Sequence, residues 1–80
     1  MLHIFYNKFG GVFMYMKRLR DLRDDKGYTQ QQIADYLHIN QATYSDYENG
    51  NINIPLDALI KLADYYHVSL DYLVGRTDEK

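Results

Sequence analysis

A short polar stretch at residues 40–50, NQATYSDYENG, carries the side chains with the clearest capacity for hydrogen-bonding chemistry. At 100° per residue of an α-helix, Tyr44 and Tyr47 fall on one side, with Thr43 beside them. The opposite side is small and polar and offers amide, hydroxyl and carboxylate groups but no lysine or arginine. Its members are Gln41, Ala42, Ser45, Asp46 and Asn49.

The polar side of this helix can enter a groove of a nucleic acid while the tyrosines pack inward. Attraction to a polyanion also requires positive charge, and the chain has 9 basic against 11 acidic residues. Five of the basic residues lie within residues 17–26, and residues 27–60 contain none. Attraction to phosphate must therefore come from one end of the fold, from helix termini, or from a dimer that combines two weak patches.

Composition excludes several classes of protein. Eighty residues form one domain with a small core, and the absence of cysteine rules out disulfides and thiolate metal sites. No apolar run approaches the roughly 20 residues of a membrane span, and the N-terminus lacks the features of a signal peptide. The acidic balance argues against a nonspecific DNA-packaging protein. We expect a cytoplasmic protein that does not associate with membranes.

Two predicted helices precede the polar stretch. Residues 16–26 alternate charge with leucine, which indicates a short amphipathic helix that ends at Gly27. Thr29 followed by Gln32 is the signature of a capping box, so a second helix begins there and runs to about Leu37. Asn40 is suited to cap the third helix, residues 41–49.

Two further helices follow the polar stretch. Pro55 is placed for the first turn of a helix, and Ser69 begins a last short helix that ends at Gly75. Residues 77–80 are predicted as a polar tail. Helical spacing assigns these side chains of the fourth helix to the core: Leu56, Leu59, Ile60, Leu62, Ala63 and Tyr66.

The first fifteen residues form a separate N-terminal extension with two interpretations. Two runs rich in β-forming residues flank NKFGG, so a β-hairpin can form. Alternatively, Gly10-Gly11-Val12 can be encoded by a ribosome-binding sequence, so that translation begins at Met14 or Met16 and residues 1–13 are a leader.

The order of these helices resembles the Cro/C1-type helix-turn-helix domain, the XRE family of bacterial and phage repressors. The resemblance covers residues 16–76 and combines LRDLRDDKGYTQQQIADYL, INQATYSDYENG and IPLDALIKLADYYHVSLDYLVG. It implies an all-α, compact, five-helix lambda-repressor-like domain. His38 and His67 stand where the family often has glycine after a helix, and Asn51 stands where relatives often have a basic residue.

The resemblance also implies a role for individual residues. Residues 41–49 become the recognition helix, with Gln41, Ala42, Ser45 and Asp46 at base edges. Arg23 and Glu48 match a structural pair that joins the first helix to the third. The residues expected to contact phosphate are Gln30, Thr43, Asn49, Asn51 and Lys17.

The composition leaves other functional interpretations to consider. The nine tyrosines can stack on single-stranded nucleic acid, but Tyr36, Tyr44, Tyr47 and Tyr66 lie at core spacing. Tyr65 and Tyr72 can line a dimer seam. Asp64 and His67 are too few for a metal site, and no nucleophile motif or phosphate loop is present. A capped helix end explains both of these residues.

We therefore expect a sequence-specific, double-stranded DNA-binding regulator that functions as a repressor and acts as a homodimer without cofactor, metal or small-molecule ligand. The alternative is a protein-interaction module, similar to an antitoxin or anti-repressor, that uses the same fold with weak or no DNA binding. The acidic balance favours this alternative, whereas the small polar face of residues 41–49 disfavours it.

Overall fold

The computed structural model describes residues 14–80, with side chains from Lys17 onward, and this part of the chain is all-α. The hairpin and the alternative start site, both predicted for residues 1–15, lie almost entirely outside the described residues. The first helix begins two residues earlier than predicted. In order, the helices are α1 (Met14–Lys26), α2 (Gln30–Leu37), α3 (Gln41–Asn49), α4 (Leu56–Tyr66) and α5 (Leu70–Leu73).

The helix boundaries follow from local capping, as the sequence predicted. Thr29 has extended backbone and its hydroxyl accepts from the N–H of Gln32 at 3.1 Å. The Gln32 side chain accepts in return from the N–H of Thr29 at 2.8 Å, which completes the capping box. At α3, the Asn40 side chain accepts from the N–H of Thr43 at 2.8 Å. The entry into α3 is thus set by a side chain and not by packing alone.

Left-handed residues directly follow α2, α3 and α4. Gly50 follows α3 with φ of 76°, which costs glycine little. His38 and His67 take the same conformation after α2 and α4, with φ of 60° and 56°. Histidine was predicted to replace glycine at these two positions, and the left-handed backbone confirms that both turns have the geometry of a glycine cap.

The core lies between all five helices and contains mostly leucine, isoleucine and tyrosine. Leu19, Ile33, Tyr44, Leu62 and Leu73 have less than 2% of their surface exposed, so every helix contributes at least one fully buried side chain. Burial of side chains this large is the main stabilising contribution in a small domain. The core therefore holds α3 by its tyrosine side and leaves the other side of that helix outward.

The prediction that Leu56, Ile60 and Tyr36 lie in the core is wrong. Leu56 and Ile60 are 63% and 46% exposed, and Tyr36 is 37% exposed. Leu56 and Ile60 lie one turn apart on the outer side of α4, because the buried side of that helix is already filled by its other apolar residues. Tyr36 lies at the edge of the core, where its hydroxyl donates to the carbonyl of Lys61 at 3.1 Å.

The end of the chain is attached to α1 and α5. The Arg18 guanidinium donates to the carbonyls of Tyr72 and Thr77 and to the carboxylate of Asp78, and it stacks 4.2 Å from the Tyr72 ring centroid. The N–H of Ser69 donates to the carbonyl of Lys80 at 2.9 Å. The predicted polar tail is therefore held by specific contacts, and Arg18 is used inside the fold.

Candidate nucleic-acid interface

The polar side of α3 faces outward, as the helical spacing predicted. Gln41, Ala42 and Asn49 are exposed, and Ser45 and Asp46 are half-buried at the margin of this surface. We call these five residues the polar face. On the opposite side, Tyr44 and Tyr47 are 0% and 6% exposed. The packing of the two tyrosines therefore fixes which residues α3 presents to a partner.

A buried ion pair holds α3 against α1. Arg23 Nε lies 2.7 Å from Glu48 Oε2, and Arg23 Nη2 lies 3.1 Å from Glu48 Oε1. The Glu48 side chain is 0% exposed and the Arg23 side chain 13%. The remaining Arg23 nitrogen donates to the carbonyl of Tyr28 at 3.0 Å, in the turn between α1 and α2. The pair therefore has a structural role, because the Arg23 donors are directed into the protein.

The ion pair determines the charge states of both groups. Burial would raise the pKa of the Glu48 carboxyl, but the Arg23 guanidinium and, to a lesser degree, the nearby Tyr44 hydroxyl and the Gln30 amide outweigh burial and lower that pKa. The hydrogen bond to Glu48 likewise raises the pKa of Arg23. Glu48 is therefore an anion inside the fold at neutral pH, and its charge is balanced before any ligand arrives.

Two tyrosine hydroxyls are buried beside this ion pair. Burial is the main cause that raises the pKa of Tyr44 and of Tyr66 well above the usual range. The Tyr44 hydroxyl also lies near the Glu48 carboxylate and favours its charged form, although the two groups are not placed as a full hydrogen bond. Both tyrosines are thus neutral packing residues at physiological pH and take no part in the outer surface.

Hydrogen bonds connect the buried carboxylate to the outer end of α3. Gln30 Nε2 donates to Glu48 Oε1 at 3.2 Å, and Gln41 Nε2 donates to Gln30 Oε1 at 2.6 Å. A carboxylate only accepts, so the Gln30 amide must direct its nitrogen inward and its oxygen toward Gln41. Gln41 consequently retains one N–H and its Oε1 for an external partner.

The C-terminal end of α3 carries a second set of contacts. Asn49 Nδ2 donates to the Ser45 hydroxyl at 3.3 Å, and its Oδ1 accepts from Arg20 Nη2 at 2.9 Å. Asn51 Nδ2 donates to Asp46 Oδ1 at 3.2 Å. One oxygen of Asp46 is thereby occupied, and the geometry leaves the other as an acceptor. These contacts order the side chains of the polar face before any ligand binds.

The remaining predicted phosphate residues lie apart from this cluster or contribute to capping. The backbone N–H of Thr43 is used by the Asn40 cap, and its side chain is half-buried. Lys17 is exposed near the start of α1 and pairs with Asp21 at 3.0 Å. The structure therefore brings Gln30, Asn49 and Asn51 to the polar face and places Lys17 on α1.

Arg20 is the functional candidate that sequence reasoning did not single out. Its spacing of three residues from Arg23 on α1 places both on neighbouring parts of one helix surface, and that was the available signal. Only the tertiary contact between α1 and α3 shows that Arg20 reaches Asn49. The polar face thus has one cation at its edge that the α3 sequence itself lacks.

Other kinds of site find no support in the described part of the chain. Among the side chains of residues 17–80, no three His, Asp or Glu groups come together as a metal site. A hollow of about 110 Å³ beside Leu37, Ile39 and Tyr47 is smaller than the roughly 300–1,000 Å³ of typical ligand pockets. No helix within residues 14–80 is long and apolar enough to cross a membrane.

The helix-turn-helix family model matches residues 19–73, which include all of α2, α3 and α4. The chain belongs to the Cro/C1-type (XRE) helix-turn-helix family of transcriptional regulators, which are not enzymes. This agrees with the resemblance inferred from the sequence and with the observed order of helices.

Particular relatives span the same region. The transcriptional regulator ImmR of Bacillus subtilis is 40% identical over 62 residues, which are 78% of this chain and 49% of ImmR. The crystal structure of a transcriptional regulator from Listeria innocua has 33% identity and a TM-score of 0.75, covering 82% of this chain and 62% of that one. This chain thus spans about half the length of ImmR.

A more distant solved structure shares the fold alone. The P22 c2 repressor protein, crystallised with a synthetic operator, has 20% identity and a TM-score of 0.68. The superposition covers 74% of this chain and 89% of the c2 chain. The compact lambda-repressor-like arrangement of helices is therefore present here.

Proposed function

We propose that this chain binds operator DNA in a sequence-specific way and acts as a transcriptional repressor. The observation that carries the proposal is the polar face of α3, which is exposed, hydrogen-bonded into one arrangement, and held from behind by the Arg23–Glu48 pair. In helix-turn-helix proteins the second helix of the motif enters the major groove. The c2 repressor, whose fold this chain shares, was solved on an operator.

Gln41 is proposed to read adenine. Bidentate recognition of adenine needs an acceptor for N6–H and a donor for N7. The hydrogen bond from Gln41 to Gln30 leaves Gln41 with Oε1 and one N–H, which is this combination. Guanine would require two donors at its major-groove edge, so the same arrangement disfavours it.

The neighbouring residues of the polar face complete the proposed base readout. Ala42 contacts a thymine methyl group, and the unoccupied oxygen of Asp46 accepts from cytosine N4–H. Ser45 lies between them and reaches a base or a phosphate. The proposed phosphate contacts, which position the protein without reading sequence, are Gln30, Thr43, Asn49, Asn51 and Lys17.

A homodimer is proposed to be the binding unit. One domain of this size covers too little DNA for strong discrimination, whereas two copies related by a two-fold axis read a palindrome. The half-sites would then be separated by about one helical turn, roughly 34–36 Å. Such a regulator would work in the cytoplasm, where the operator is located.

The test is selection of bound duplexes from a random DNA pool, followed by titration of the recovered sequence. Wild-type protein should recover a palindrome, and Gln41→Ala should lose about 5- to 150-fold in affinity, because one bidentate base contact contributes about 1–3 kcal/mol. Gln31→Ala is the matched control, since Gln31 is an exposed amide of α2 that donates to Asp35 on its own helix. Equal effects of both substitutions would contradict the assignment of Gln41.

A second candidate function is a protein-interaction module, and a specific observation favours it. Leu56 and Ile60 form an exposed apolar pair on α4, 63% and 46% exposed, which offers the anchors that protein interfaces use. The absence of basic residues from positions 27–60 favours the same reading. Failure of the wild-type protein to enrich any duplex at low salt would support this function and reject operator binding.

A further inference from the structure

The recognition helix poses an electrostatic problem that α1 resolves. The polar face contains one acid and no base, yet a large part of protein–DNA affinity comes from cations that neutralise phosphates. Five basic residues on α1 could supply the charge. The resemblance assigned Arg23 to a structural pair and Lys17 to phosphate, and sequence alone does not distinguish Arg18 from Arg20. The tertiary contacts do, because they show where each side chain is already used.

Two of the arginines are committed to the fold. Arg18 has a side chain only 14% exposed and is bound to Tyr72 and the end of the chain. Arg23 is 13% exposed and directs its nitrogens to Glu48 and Tyr28. Neither guanidinium is available to a phosphate without breaking internal contacts, so neither explains DNA binding.

Arg20 has the opposite character. Its side chain is 51% exposed, and its Nη2 donates to Asn49 Oδ1 at 2.9 Å. Its Nε lies 3.5 Å from the buried Glu48 carboxylate, which attracts the cation toward α3. The two N–H groups of Nη1 have no hydrogen-bond partner among the side chains and backbone of the described residues.

The backbone N–H groups at the end of α3 are already hydrogen-bonded within the protein, so a phosphate there would depend more on the Arg20 cation. The N–H of Gly50 donates to the carbonyls of Asp46 and Tyr47, and the N–H of Asn51 donates to the Asp46 carbonyl at 3.0 Å. These amides are therefore used in capping α3. A phosphate near Asn49 must be bound chiefly by side chains.

We propose that Arg20 is a DNA-backbone contact whose guanidinium, held over the C-terminal end of α3 by Asn49, binds a phosphate beside each half-site. The hydrogen bond to Asn49 and the nearby charge of Glu48 place the guanidinium before binding, so little side-chain freedom is lost when the phosphate arrives. The planar fork can keep Asn49 on one nitrogen and present the other to a phosphate oxygen. This inference rests on the proposed operator binding and adds a residue from outside the helix-turn-helix to it.

The test is the salt dependence of operator binding, measured with the duplex recovered from the random pool. Arg20→Gln should make the slope of log K against log salt shallower by about 0.9 per subunit, the contribution of one phosphate contact. Base preferences should stay unchanged, because a phosphate contact carries no sequence information. Arg20→Lys should restore most of the slope, since it keeps the charge.

Arg76→Gln is the matched control. Arg76 is also an exposed arginine with one carboxylate neighbour, Asp71 at 3.8 Å, and it follows α5 rather than facing α3. Its substitution removes the same charge and should leave the slope unchanged. Thermal unfolding of each variant separates a loss of binding from a loss of folding.

The possible results are distinguishable. An unchanged slope in Arg20→Gln, with normal operator selection by the wild type, would overturn the role of Arg20 and leave it as a structural partner of Asn49 and Glu48. An equal decrease of the salt slope in Arg20→Gln and in Arg76→Gln would also overturn the role of Arg20. Failure of the wild-type protein to bind any duplex would reject operator binding and the Arg20 contact together.

Discussion

Arg23→Met isolates the contribution of the buried ion pair to stability. The substitution keeps an unbranched side chain of similar reach but removes the cation that lies 2.7 Å from Glu48 Oε2. Glu48, with a side chain 0% exposed, then stays buried without its principal partner. Loss of one partner from a buried pair is more destabilising than loss of both, because the remaining charge is uncompensated.

The magnitude follows from what remains around Glu48. Removal of one partner from a buried pair costs about 3–5 kcal/mol. Gln30 still donates to the carboxylate at 3.2 Å, and Arg20 lies 3.5 Å away, so we expect the lower end, about 3 kcal/mol. For a domain of this length that corresponds to a decrease in Tm of roughly 12–24 °C.

The effect should depend on pH with a definite sign. In the wild type the pKa of Glu48 is lowered, so its stabilising contribution is present above the unfolded value, about 4.3, and is lost as pH falls through the folded value. Without Arg23, burial dominates and raises the pKa of Glu48. The cost of burying its negative charge is therefore absent at low pH, where the carboxyl is protonated, and grows as pH rises. The difference in stability between the two proteins should therefore be largest near pH 7 and shrink toward pH 4.

Urea unfolding followed by circular dichroism at several pH values measures this difference. The control is Arg76→Met, because Arg76 forms only an exposed pair, 3.8 Å from Asp71, and such pairs contribute about 1 kcal/mol or less. Arg23→Met combined with Glu48→Gln should recover part of the loss, since no charge is then left buried. An Arg23→Met cost equal to that of the control, or a difference that grows toward pH 4, would refute this reasoning.

Two further predictions concern the start of α2 and the polar face. Thr29→Ala removes the capping box with Gln32 and should lower the free energy of unfolding by about 1 kcal/mol in urea, without changing the recovered operator sequence. A loss below about 0.3 kcal/mol would show that packing alone sets the start of α2. Asp46→Arg should raise nonspecific DNA affinity and steepen the salt slope by about 0.9 per subunit, and an unchanged slope would count against placing this residue in the groove.

The sequence by itself determined the local structure of this protein. Capping at Thr29 and Asn40 and the glycine stop at Gly50 depend on side chains and backbone within a few residues, so the number and order of helices were predictable. The division of α3 into a tyrosine side and a polar side follows from helical periodicity alone. Both features were predicted correctly.

Only the tertiary structure decided which apolar and charged side chains are used inside the fold. Leu56 and Ile60 have the same chemistry as their buried neighbours on α4, and burial depends on which side of that helix meets the other helices. The family resemblance paired Arg23 with Glu48. Arg18 and Arg20 are equivalent in sequence, yet Arg18 holds the end of the chain and Arg20 borders the polar face. The physical reason is that these roles depend on distances between residues 25 or more positions apart, which no local pattern encodes.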